Sequence, residues 1–127
     1  MKKDKPPISA AEMEVLRVLW DHGPDTIRGV DAYLQPRQRW AYTTIQTLLN
    51  RLEGKGYVKC DRRNVPHVFS AALSREKLLG QRLSDLADQL CDGAATPLVA
   101  ALVRHQRFSD SEIAAFRKLL DEADPRK

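Results

Sequence analysis

A chain of 127 residues suffices for one compact domain, or for a small domain with an appendage. Aromatic residues are only 6%, which argues against a large β-sandwich; no apolar run nears the ~18 residues of a membrane span, and the basic N-terminus leads into no signal-peptide core, so a cytoplasmic protein is expected. The net charge of +4 is unevenly spread: Arg28, Arg37, Arg39, Arg51, Lys55, Lys59, Arg62 and Arg63 face only Asp31, Glu53 and Asp61 in that stretch, a local field suited to a polyanion.

In chain order, residues 1–7 read as a charged, proline-containing flexible arm. Ser9 and Glu12 fit a capping box, with Ile8 and Met13 as its hydrophobic staple. Met13, Leu16, Leu19 and Trp20 form the buried stripe of this first helix, and "DHGPD" ends it. Asp25 or Thr26 caps a second helix with Ile27, Val30 and Leu34 inward. "QPRQRW" breaks it. A third helix runs from about Ala41 to Glu53, and Gly54 or Gly56 supplies the left-handed residue that helix ends favour. The period then changes: "YVKCDR" and "HVFSAA" flank the turn "RNVP" as a β-hairpin.

The remainder is helical. Ser74 caps a helix to about Leu90, in which Leu79, Leu83, Leu86 and Leu90 make a heptad-like seam. Residues 97–105 form a short helix. Ser109 and Glu112 give a second capping box, with Phe108 and Ile113 as staple, and the last helix is expected to bury Ile113, Phe116 and Leu120. The expected fold class is mainly α with a small β-hairpin: a winged helix-turn-helix over 8–72 and a helical dimerisation domain over 73–127.

Within "WAYTTIQTLLNRLEGKGYV" the apolar Ile45, Leu48, Leu49 and Leu52 share one helical face. The other face carries Thr43, Gln46, Thr47, Asn50 and Arg51. Solvation alone accounts for many polar helix faces, but Thr is a poor choice there because its branched Cβ lowers helix propensity. Short polar side chains fit the major groove, where Thr bonds base edges or packs on the thymine methyl and Gln pairs with adenine. Thr43, Thr44, Gln46, Thr47 and Asn50 are therefore the expected base readers, and Tyr42, Arg51, Lys55, Arg62 and Arg63 the expected backbone contacts, on double-stranded DNA.

Together with "ISAAEMEVLRVLW" upstream and "DRRNVPHVFSA" downstream, this stretch resembles the penicillinase and methicillin-resistance repressor family, which has a copper-responsive branch. The similarity extends from about Ile8 to Ala123. The resemblance implies a homodimeric repressor of antibiotic-resistance genes acting on inverted-repeat operators with TACA/TGTA-type half-sites. It also implies, for members partnered with a membrane sensor-protease, inactivation by cleavage at the position of Ala101–Leu102, where the drug-resistance members have Asn-Phe.

A dimer also follows from the residues themselves, because the last helices are too few to bury a core alone yet carry a leucine seam. Neither a metal nor another cofactor is expected. Cys60, Cys91, His22, His67 and His105 lack ligand spacing, and Cys91 stands alone where the copper-responsive branch has cysteine pairs, so metal sensing is the minority alternative. His67 is expected on a hairpin strand. No nucleophile–base pair or phosphate-cradling glycine loop suggests an enzyme, and the modest net charge argues against a non-specific packaging protein.

Overall fold

The computed structural model describes residues 5–126, and its elements are α1 (Ala10–His22), α2 (Ile27–Leu34), α3 (Tyr42–Lys55), β1 (Val58–Asp61), β2 (Val68–Ala71), α4 (Arg75–Leu90), α5 (Thr96–His105) and α6 (Asp110–Ala123). The chain is thus mainly α with one antiparallel hairpin, in register Val58 with Ala71 through Asp61 with Val68. It divides into two compact units, one reaching Leu79 and the other starting at Gly80. That division falls inside α4 rather than at the 72–73 junction expected from sequence. The reason is packing: Leu73 and Leu78 are buried in the core of the first unit.

Local chemistry sets the helix ends. In α1 the Ser9 hydroxyl accepts from Glu12 N–H and the Glu12 carboxylate accepts from Ser9 N–H, the reciprocal box expected. Of the alternatives at α2, Thr26 is the cap and accepts from Gly29 N–H. At α3 the left-handed residue is Gly56, at φ 89°, a conformation that costs a side-chain-bearing residue energy. Ser74 caps α4 through Lys77 N–H, and Ser109 and Glu112 form the second box.

The first unit closes one apolar core. Leu16, Leu19, Val30, Leu34, Ile45 and Leu49 are buried in it, with Tyr57 and Phe69 from the hairpin region. Two details differ from the expected α1 stripe. Val15 and Val18 are buried as well, while Met13 and Trp20 are only half-buried. Trp20 lies at the rim because its indole N–H donates to Leu73 C=O at 2.9 Å. A feature with no local sequence signature completes the hairpin: Asp25, between α1 and α2, pairs with Phe69 of β2 through N–H···O bonds of 3.0 and 2.8 Å.

The second unit packs differently. Among its described residues only Ala87 is buried. Ile113, Phe116 and Leu120, expected inside, are exposed, Leu120 at 69%. Phe108 meets Phe116 edge-on, with centroids 4.9 Å apart. A single copy of three short helices leaves these side chains uncovered.

Candidate nucleic-acid interface

The helical repeat sorts the side chains of α3 onto two opposed faces. Ile45, Leu48, Leu49 and Leu52 enter the core, while Thr43, Thr44, Gln46, Thr47, Asn50 and Arg51 stand exposed on the other side. The core side fixes the helix, so the polar side is presented on a rigid element. Thr47 donates its hydroxyl to Thr43 C=O at 2.9 Å. Its donor is thereby occupied, leaving a methyl group and oxygen lone pairs outward.

Beside this face lies a cleft of about 460 Å³, walled by α3, the start of α2 and the hairpin turn. Gln46 and Asn50 line it from α3, Thr26 and Arg28 from α2, and Arg62 and His67 from the turn. Tyr42, half exposed at the start of α3, has its ring about 6.0 Å from the Arg28 guanidinium. Arg28 and His67 were not singled out from sequence as DNA contacts. His67 precedes β2 rather than lying on a strand. The overlooked signal is positional: Arg28 is a basic residue in the first turn of α2, the helix that precedes the polar-faced α3.

The charged residues of the turn are already paired. Arg62 donates to both oxygens of Glu53 at 2.7 and 2.8 Å, tying the turn to the last part of α3. This fork holds the Glu53 carboxyl below its ordinary range and raises the Arg62 guanidinium. Arg63 is bound to Asp61, whose carboxyl drops to about 2 because it accepts from the Arg63 side chain and backbone N–H. Both arginines remain exposed, so a phosphate can exchange with or join these pairs. Lys55 is placed otherwise than expected for a backbone contact. Its ammonium donates to the buried Glu12 at 2.6 Å and to Pro7 C=O at 2.9 Å, because the last turn of α3 lies over the start of α1.

Residues 8–122 match the family described as penicillinase repressor. The chain belongs to that family. It is 26% identical to the penicillinase repressor of Bacillus licheniformis, over 98% of each chain. It is 32% identical to the transcriptional regulator BlaI of Mycobacterium tuberculosis, over 89% of this chain and 82% of that one. Among solved structures it resembles the DNA-binding domain of the repressor BlaI, with a TM-score of 0.52, 32% identity and coverage of 60% of this chain and 93% of that one. A second similar structure is the monomeric form of BlaI from B. licheniformis in complex with the blaP half-operator, with a TM-score of 0.50 at the same identity and coverage.

Penicillinase repressors regulate transcription and are not enzymes. The family likeness and the winged-helix neighbours agree with the fold class read from the residues. Among the described residues, no three His, Cys, Asp or Glu side chains gather as metal ligands would, and no helix is long and apolar enough to cross a membrane.

Proposed function

We propose that the chain is a dimeric, sequence-specific transcriptional repressor that reads a palindromic operator with α3. The observation that carries this reading is the exposed face of α3, uncharged over Thr43, Thr44, Gln46, Thr47 and Asn50, beside a cleft edged by Arg28 and Arg62. Groove-facing residues must be short and able to bond base edges, and phosphate contacts must flank them. The proposed roles are base reading by Thr43, Thr44, Gln46, Thr47 and Asn50, and backbone binding by Tyr42, Arg51, Arg62 and Arg63. Lys55 is left out of that set because it is engaged by Glu12 and Pro7.

Dimerisation is proposed through the second unit, where Leu83, Leu86 and Leu90 continue the seam from Leu79 and are exposed in one copy. Twofold symmetry then calls for half-sites an integral number of turns apart, ~10 bp each. Antibiotic-resistance genes are the proposed targets. Inactivation is proposed to follow proteolysis between Ala101 and Leu102, which are exposed on α5. The agent is a membrane sensor-protease. Cutting there parts α6 from α4, and local unfolding of the helix provides access. Mass spectrometry of the chain from derepressed cells checks this; an intact chain throughout overturns it.

The decisive test of the central reading is Gln46→Ala. It is expected to cost ~1–3 kcal/mol on a duplex selected from a random pool by the wild-type chain, and little on unselected DNA. Equal losses on both would show that Gln46 reads no base.

A further inference from the structure

The first unit contains a charge arrangement that the recognition face does not use. Glu12 is 1% exposed, yet it is a carboxylate in the first turn of α1. One of its oxygens accepts from Ser9 N–H at 2.8 Å and from the Lys55 ammonium at 2.6 Å. The other is buried without a hydrogen-bond partner. A buried carboxylate with half its acceptors idle is expensive to keep in a fold. A well-packed apolar pair would hold α1 against α3 at lower cost, and only the charge gives a directional grip on the ammonium at the end of α3.

A strap reinforces the same point. Lys5 donates to Gly56 C=O at 2.7 Å, the Tyr57 hydroxyl donates to Pro6 C=O at 2.7 Å, and Lys55 donates to Pro7 C=O. The Lys5 ammonium also lies 5.2 Å from the centre of the Tyr57 ring. Three successive residues before α1 are thus bonded to three successive residues at the end of α3. Residues 1–7 are expected from their composition to be a flexible arm; residues 1–4 lie outside the described residues, and 5–7 are tied down.

We propose that Glu12 is a positioning residue for DNA recognition: by capturing Lys55, with the 5–7 strap beside it, it fixes the axial position and rotation of α3, so base discrimination depends on a carboxylate that touches no DNA. The inference rests on the proposed role of α3 as reader. Base-edge hydrogen bonds tolerate little displacement, whereas phosphate attraction is long-ranged and forgiving. Loosening the end of α3 therefore costs discrimination and spares non-specific affinity. Lys55 acts inside the protein and adds nothing to the count of neutralised phosphates.

The test uses the full chain and two probes: the duplex that the wild-type chain enriches from a random-sequence pool, and unselected duplex of equal length. Each affinity is measured over a range of salt. Glu12→Gln is expected to lower the selected-to-unselected ratio about tenfold, the scale on which residues outside a binding site alter it, with unselected affinity and salt slope unchanged. Lys55→Met is expected to lower the ratio similarly and leave the slope unchanged. A slope reduced by roughly one in Lys55→Met would make Lys55 a phosphate ligand and overturn the proposal. A lower melting temperature with an unaltered ratio in Glu12→Gln would make the pair merely structural and also overturn it. If Glu12→Gln does not fold, Tyr57→Phe decides. It removes only the bond to Pro6 and is expected to lower the ratio by a smaller factor; no change there overturns the proposal. Failure of the wild-type chain to enrich any sequence would instead defeat the reading of α3 itself.

Discussion

The two units use apolar residues in opposite ways. In the first, leucines of α1, α2 and α3 are buried against one another, and the surface left over is polar and basic. In the second, Leu83, Leu90, Leu102 and Leu120 all face outward, and only Ala87 among the described residues is buried. The same residue type therefore means a closed core in one half and an unmet surface in the other. Apolar periodicity reports that a helix has a face to cover. It does not report whether the cover comes from the same copy.

The sharpest way to break this contrast is to charge the seam. Leu83→Asp with Leu86→Asp is expected to give monomers in sedimentation. Affinity for a two-half-site duplex should fall by about 10²–10⁴, since the second half-site no longer binds intramolecularly. The first unit should keep its helical signal. A dimeric double variant would move the interface to α6. Next in size is Leu49→Ala, a fully buried position in α3, expected to cost about 2–5 kcal/mol in unfolding of the first unit. Leu120→Ala, by contrast, should leave the unfolding of isolated monomers within ~0.5 kcal/mol of wild type. Similar losses at both positions would mean the second unit has a closed core after all.

A third test uses acid. Burial pushes the Glu12 carboxyl up, but hydrogen bonds from Lys55 and Ser9 outweigh it and leave the group below its ordinary value of 4.5. A carboxyl lowered in the folded state releases its proton more readily there than in the unfolded chain. Its contribution is therefore complete above about 4.5 and is lost as the pH falls through the folded value. Unfolding of the first unit followed from pH 6 to 3 should show this loss, and Glu12→Gln should flatten it; parallel curves would remove Glu12 as the cause. The smallest effect is expected at Gly80, inside α4, where an added Cβ meets nothing within 4 Å. Gly80→Ala should raise helix stability by about 0.5–1 kcal/mol, read from thermal melting.

What the sequence makes legible is what neighbouring residues decide together. The capping boxes at Ser9–Glu12 and Ser109–Glu112 join residues three apart, and both form. The hairpin is legible from a change of period over a few residues. The polar face of α3 is legible because a regular helix converts spacing into direction. Contacts across long separations are not. Lys55 looks like a free basic residue in a basic stretch, and its ion pair with Glu12, 43 positions earlier, has no local signature. The cleft has the same character: Arg28 and His67, far apart in the chain, line it together with Gln46 and Asn50 of α3. The exposed faces of α4 and α6 mark the other limit, since their spacing is that of buried helices while the described residues of the unit leave them exposed.

The bridge between Asp25 and Phe69 also bears on how the protein avoids sticking to itself. Two short strands alone would be a marginal hairpin with an open edge on each side. By taking both backbone groups of Phe69, Asp25 places β2 between two partners and leaves β1 as the border. That border is four residues long, carries Lys59 outward, and ends at the ion-paired Asp61. A short charged edge is a poor template for strand addition. Strand addition at this edge is therefore disfavoured, which closes one route to self-association through the hairpin.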